Sequence, residues 1–218
     1  MHDHDHAAIQ DDPQPTLYER RAHAIESLLI EKGVVTTDEI RRGVEILDSR
    51  TPTQGARVVA RAWADAGFKA RLLADARSAV RELGLDPGAS TVLRAVENTD
   101  QAHNLIVCTL CSCYPRALLG LPPDWYKSLS YRSRAVVDPR GVLREFGLEL
   151  RPEVEVRVYD STADIRYIVI PARPAGTEGL SEEELAGLVT RDSMIGVAKA
   201  LDLTHPPPPP SPSGRGRG

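Results

Sequence analysis

The sequence predicts an α+β fold, with a helical N-terminal arm followed by a mixed α/β domain that carries a cysteine loop after a strand. Three observations predict it. Apolar residues recur at helical spacing as far as Leu83, and beyond residue 85 short runs rich in β-branched residues replace that period. All three cysteines then fall within 108–113, at the end of one such apolar run.

The elements follow in order. Leu17, Ala22, Ile25, Leu28 and Leu29 keep helical spacing until Gly33, a residue suited to ending a helix. Thr36 and Glu39 have the spacing of a capping box, opening a second helix with Ile40, Val44 and Leu47 expected to face inward. Two further helical patterns cover residues 56–66 and 69–83, closing at Gly84. Nothing before residue 85 reads as a strand, so these amphipathic helices need cover from the later domain or from another subunit.

Strands are expected at residues 91–97 and 104–110. A third follows where Val154, Val156 and Val158 alternate with Glu155 and Arg157, and a fourth at 166–171. A helix is expected over 138–146, with Asp138 as N-cap and Pro139 in the first helical position, and another over 181–190, where Ser181 and Glu184 form a capping box. No internal repeat is present. The expected domains are a tail at 1–15, the helical arm at 16–84, a metal-binding catalytic domain at 85–205, and a tail at 206–218. The first tail alternates His2, His4 and His6 with aspartates and reads as a solvated segment. The second, rich in proline and then in glycine and arginine, reads as extended or disordered.

Composition narrows the function. A net charge of -4 gives no electrostatic reason to bind nucleic acid, and no apolar run approaches the roughly 20 residues of a membrane span. The polar N-terminus lacks the basic and apolar regions of a signal peptide, so a cytoplasmic protein is expected. Three cysteines packed into six positions cannot form a disulfide framework, and they act as a local cluster.

Cys108, Cys111 and Cys113 can converge on one soft-ligand metal after a single curl of the chain. Structural zinc usually takes four protein ligands, which here would need His103 as the fourth; an iron–sulfur cluster generally takes four cysteines. The spacing alone therefore indicates a metal and leaves its identity open. The Cys111-Ser112-Cys113 triplet permits one more specific geometry. If the backbone nitrogens of Ser112 and Cys113 also bind, the Cys111 sulfur and Ser112 nitrogen close a six-membered chelate, and the Cys113 sulfur and nitrogen a five-membered one. Such a claw suits a small trivalent ion and leaves one coordination position open.

The residues resemble a known family at this point. VCTLCSC at 107–113, LGLPPDWYKS at 119–128, YRSR at 131–134, RPAGTEG at 173–179 and VTRDSMIGVA at 189–198 are similar to the nitrile hydratase α subunit, as is ENTD at 97–100. The resemblance spans 16–200 and excludes both tails. It implies Cys108, Cys111 and Cys113 as metal thiolates, with backbone nitrogens from Ser112 and Cys113. It also implies Cys111 oxidised to a sulfinate and Cys113 to a sulfenate, and Cys113 with Ser112 as the catalytic pair. Oxygenated sulfur gives less charge to the metal and leaves it a stronger Lewis acid. Threonine at position 109 resembles the cobalt-type members, implying one Co3+ per chain rather than iron. The resemblance further implies a β subunit of one or two polypeptides, a cobalt-loading activator protein, and a small-molecule nitrile hydrated to its amide.

The sequence departs from the usual pattern at Arg116 and Ala117, where ordinary members carry tryptophan and proline. Arg116 is a candidate for the substrate pocket, or else a subunit-boundary residue. The metal subunit of thiocyanate hydrolase carries arginine there, and toyocamycin nitrile hydratase is another relative with a polar substrate. A cobalt-binding subunit without activity of its own is the alternative outside enzymology. Tyr131, Arg132 and Arg134 are expected to help fix the claw or a subunit boundary, whereas Trp63, Arg157 and Arg166 read as structural.

Overall fold

The computed structural model describes residues 16–88 and 92–203; both predicted tails lie outside the described residues. The chain divides into two compact units, Met1–Leu47 and Asp48–Gly218, so the structural division precedes the change of period at residue 85.

In the first unit, α1 (Leu17–Glu31) is capped by Thr16, whose hydroxyl accepts from the Glu19 amide at 3.3 Å while Glu19 accepts from the Thr16 amide at 2.6 Å. The predicted Thr36–Glu39 box opens α2 (Thr37–Asp48) in the same reciprocal way, at 3.2 and 2.8 Å. Neither helix buries a residue. Val44 and Leu47, expected to face inward, remain 51% and 43% exposed, because two short helices enclose too little area for a core of their own.

The second unit begins with α3 (Pro52–Ala64), α4 (Ala66–Ala74) and α5 (Ala76–Glu82). The single helix expected over 69–83 is broken at Asp75, whose carboxylate accepts from the Ser78 amide at 3.2 Å and caps α5, as Asp65 caps α4 through the Phe68 amide at 2.9 Å. Aspartate competes for backbone donors in this way, and a continuous apolar period does not reveal it.

Next come β1 (Val92–Glu97) and β2 (Ala102–Val107). The strand expected to continue to residue 110 ends at Val107, which leaves all three cysteines outside it. Four short helices form the crossover: α6 (Arg116–Leu119), α7 (Asp124–Lys127), α8 (Leu129–Val137) and α9 (Pro139–Glu145). Asp138 caps α9 as predicted, accepting from the Gly141 amide at 2.9 Å. The chain then runs through β3 (Glu155–Asp160), β4 (Ile165–Ile170), α10 (Glu182–Gly187) with its Ser181–Glu184 box, and α11 (Arg191–Ile195).

Pairing is parallel throughout the described strands, β1 with β4 and β2 with β3. Helices α4 and α5 pack on β1, the two strand pairs meet through β2 and β4, and α8 and α9 cover β2 and β3. Every residue of β2 is buried, as expected for a parallel strand covered on both faces. The mixed α/β class predicted from sequence is therefore observed, and its cysteine loop leaves the carboxyl end of a buried parallel strand, where such sheets commonly place ligands.

A close approach beside β2 fixes that strand. Gly196 follows α11 with φ of 95°, and a Cβ there would overlap the Asn104 carbonyl oxygen. The buried His103 donates through Nε2 to the Gly196 carbonyl at 2.7 Å, and its Nδ1 accepts a hydrogen bond from the Asn98 side-chain amide at 3.2 Å. Burial holds this imidazole below its ordinary pKa and so in the neutral form.

Candidate metal centre

The loop after β2 brings together the three cysteines that the sequence singles out. Cys108 is fully buried, Cys113 half-buried and Cys111 exposed. Their sulfurs lie within 4.8 Å of one another, Cys108 to Cys111 at 3.6 Å and Cys111 to Cys113 at 3.3 Å. The Cys111 amide also points at the Cys108 sulfur, 3.2 Å away. Two sulfurs each about 2.3 Å from one ion lie about 3.3 Å apart at a right angle and about 3.8 Å apart at a tetrahedral angle. Both observed separations fit a shared metal.

Electrostatics favour the same use. Burial pushes the Cys113 thiol up to about 12, helped by the neighbouring sulfurs of Cys111 and Cys108 and opposed by the Arg166 guanidinium. Hydrogen bonds from Cys113 and Cys108 draw the Cys111 thiol down. Three thiolates in so small a volume need a cation among them. His103 does not serve as a fourth ligand, since both ring nitrogens are engaged in the core, and the zinc alternative loses the residue it required.

Elements distant in sequence hold the loop. Asp160, at the end of β3, accepts from the Thr109 amide at 2.9 Å and from its hydroxyl at 2.6 Å. Arg132 of α8 donates to the Cys108 carbonyl at 3.1 Å and the Thr109 carbonyl at 2.7 Å. Tyr126 donates to the Cys113 carbonyl at 2.9 Å, whereas Tyr131 donates to the Ile106 carbonyl at 2.6 Å, inside β2 and before the loop. Arg134 lies elsewhere, paired with Glu145, and Arg157 pairs with Glu155. Trp63 donates to the Pro171 carbonyl, a structural role as expected.

A cleft of about 500 Å³ opens over the loop, and Cys111, Ser112, Cys113, Arg50, Arg116 and Arg166 are among the residues that line it. None of its lining residues is acidic. Arg116 is exposed there, and its guanidinium has no hydrogen-bond or ion-pair partner among the described residues. Gly120 admits Arg50: at φ of 71°, a Cβ on it would strike the Arg50 carbonyl. Sequence reasoning missed Asp160, Tyr126, Arg50 and the site position of Arg166. Each reaches the loop from a separate element, and no local pattern marks it.

Fold and site together define a protein whose thiolate cluster, at the end of a parallel strand, can hold a metal beside an open, cation-lined cleft. The family described as nitrile hydratase, alpha chain, matches residues 16–198. The low-molecular-weight cobalt-containing nitrile hydratase subunit alpha of Rhodococcus rhodochrous is 54% identical over 179 residues, 82% of this chain and 86% of the relative. Thiocyanate hydrolase subunit gamma of Thiobacillus thioparus is 42% identical over 186 residues, 80% of this chain and 76% of the relative. A solved structure of a double mutant of the Fe-type nitrile hydratase from Comamonas testosteroni Ni1 superposes with a TM-score of 0.82 at 41% identity, covering 91% of this chain and 98% of that one. The chain belongs to the nitrile hydratase α-chain family.

Proposed function

We propose that the chain is the metal-bearing subunit of an enzyme that adds water across the carbon–nitrogen triple bond of a nitrile to give the amide. The sulfur triad of Cys108, Cys111 and Cys113, of which the last two line an open cleft, carries this reading. In it the three cysteines and the backbone nitrogens of Ser112 and Cys113 hold one Co3+ per chain, in keeping with the cobalt-containing relatives. When bound, the trivalent ion supplies Lewis acidity toward the nitrile.

The chain's own residues do the rest. Cys108 anchors the cluster from the core, while Cys111, Ser112 and Cys113 face the cleft through which substrate arrives. With Cys111 as sulfinate and Cys113 as sulfenate, the Cys113 oxygen would accept a proton from the attacking water or attack the nitrile carbon itself. The cleft arginines are suited to balance the added negative charge. The partner is a β subunit, and the first unit, whose two helices bury nothing of their own, is suited to pack on it. A loading protein delivers the cobalt, and the assembly works in the cytoplasm, where thiols stay reduced until metal arrives. No helix among the described residues is long and apolar enough to cross a membrane.

Mass spectrometry of the peptide holding residues 108–113, taken from active co-expressed enzyme, tests the site assignment. Three added oxygens, about 48 Da, are expected, two on Cys111 and one on Cys113; an unmodified peptide in fully active material would refute the oxidised pair.

The Arg116 guanidinium, which has no partner among the described residues, favours a second reading, in which the substrate is thiocyanate or a strongly polar nitrile. A charged group desolvated by an apolar substrate without a partner is costly, whereas an anion or strong acceptor satisfies it.

A further inference from the structure

The entry side of the cysteine loop is held by several groups. Arg132 binds the carbonyls of Cys108 and Thr109, and Asp160 the Thr109 amide and hydroxyl. The exit side differs. Among the described residues, Tyr126 is the one side chain from outside the loop that hydrogen-bonds the backbone between Leu110 and Tyr114, through the Cys113 carbonyl at 2.9 Å.

Tyr126 is well placed to hold that carbonyl still. It is fully buried, and its ring meets Tyr114 edge-on at 5.2 Å and Trp125 at 6.0 Å, and lies tilted on Tyr131 at 5.6 Å. Locked on three sides, the phenol has little rotamer freedom to lose when it donates its hydrogen bond. Because a peptide group is planar, pinning the Cys113 carbonyl sets the plane of the 113–114 peptide and with it the backbone torsion at Cys113. Within Cys113 the nitrogen and sulfur are related by the side-chain torsion χ1, so what the pinned carbonyl fixes is the place of the Cys113 Cα, and with it where both donors stand relative to the sulfurs of Cys108 and Cys111.

We infer that Tyr126 is a positioning residue for the claw, holding the exit side of the loop so that the Cys113 nitrogen and sulfur stay beside the sulfurs of Cys108 and Cys111, while touching neither ion nor substrate. The inference rests on the cobalt reading of the site proposed above. It assigns a task to the aromatic residues that follow the cysteines in sequence: Trp125, Tyr126 and Tyr131 form the rigid wall behind the loop, and one hydroxyl of that wall reaches the claw's last residue. Loss of a partner that orients a ligand typically costs a metal site 10- to 100-fold in affinity or activity.

The test compares Tyr126→Phe with Tyr131→Phe in the cobalt-loaded enzyme assembled with its partner subunit. Each removes one buried phenol oxygen bonded to a backbone carbonyl. Only the first carbonyl belongs to a claw residue; the second lies in β2. The readouts are the visible sulfur-to-cobalt absorption, the rate of cobalt loss to a chelator, and kcat and KM on a nitrile. All refer to bound cobalt, so partial assembly does not obscure them.

Tyr126→Phe should shift the absorption band, speed cobalt loss roughly tenfold or more, and lower kcat roughly tenfold with KM within about twofold. Tyr131→Phe should lower the thermal midpoint while leaving band and loss rate unchanged. An unchanged band and loss rate in Tyr126→Phe would overturn the inference alone. Equal changes in both variants, or failure of Tyr126→Phe to assemble where Tyr131→Phe assembles, would also overturn it, by reducing Tyr126 to a core residue. Absence of cobalt from the unsubstituted enzyme would overturn it together with the reading on which it rests.

Discussion

Cys111→Ala should leave the assembled enzyme with little cobalt and at least about a thousandfold less amide-forming activity. Cys111 is the central sulfur of the triad, 3.6 Å from Cys108 and 3.3 Å from Cys113, and its removal takes away the sulfur that adjoins both. It also deletes one arm of the six-membered chelate. Loss of an outer partner costs a metal site 10- to 100-fold, so loss of a direct ligand that closes a chelate must cost more. The fold itself should survive. Cys111 is exposed on the loop and makes no core contact comparable to that of Cys108, which is fully buried. Metal analysis, activity and a thermal melt on the same preparation separate these effects. Full cobalt retention in Cys111→Ala would contradict the claw, and a collapsed melt would mean that the loop carries more of the fold than its exposure indicates.

Arg116→Trp should raise kcat/KM for small aliphatic nitriles relative to thiocyanate by roughly ten- to more than a hundredfold. The guanidinium stays charged at any working pH, lines the cleft beside Ser112 and Cys113, and is exposed with no partner among the described residues. One charge-assisted contact to an anion is worth about 1.5–3 kcal/mol, which sets the size of the ratio. Arg50 and Arg166 remain in the cleft, so some preference for anions should persist in the variant. The ratio, measured in equally metallated enzyme, is the informative quantity, because weaker binding of the partner subunit would depress both substrates together. An unchanged ratio would place Arg116 at a subunit boundary and remove it from the pocket.

The parts of this molecule legible in sequence are those set by near neighbours. Thr36 with Glu39 and Ser181 with Glu184 announce helix starts because both halves of each cap lie three residues apart, and Asp138-Pro139 does the same for α9. The alternation of Val154, Val156 and Val158 marks β3, and the cysteine spacing brings the three sulfurs together because six residues cannot carry them far apart. The break at Asp75 was hidden, since alanines and leucines keep one period across it and only the cap shows where the chain turns. Val44 and Leu47 define an apolar face correctly, but periodicity cannot say what covers it. The frame of the site was equally hidden. Asp160 reaches Thr109 across 51 residues of chain, Arg132 reaches Cys108 across 24, and Arg50 arrives through an approach that only Gly120 permits. Such contacts follow from strand pairing and helix packing, which local patterns do not encode.

The central claim is that this chain holds cobalt on Cys108, Cys111, Ser112 and Cys113 and hydrates nitriles when joined to its β subunit. Elemental analysis of the purified assembly, with amide production measured per metal ion in the same fractions, tests it most directly. The account predicts about one cobalt per α chain and activity that rises in proportion to cobalt across fractions. Stoichiometric zinc in the active fractions, or amide formation independent of cobalt content, would contradict it.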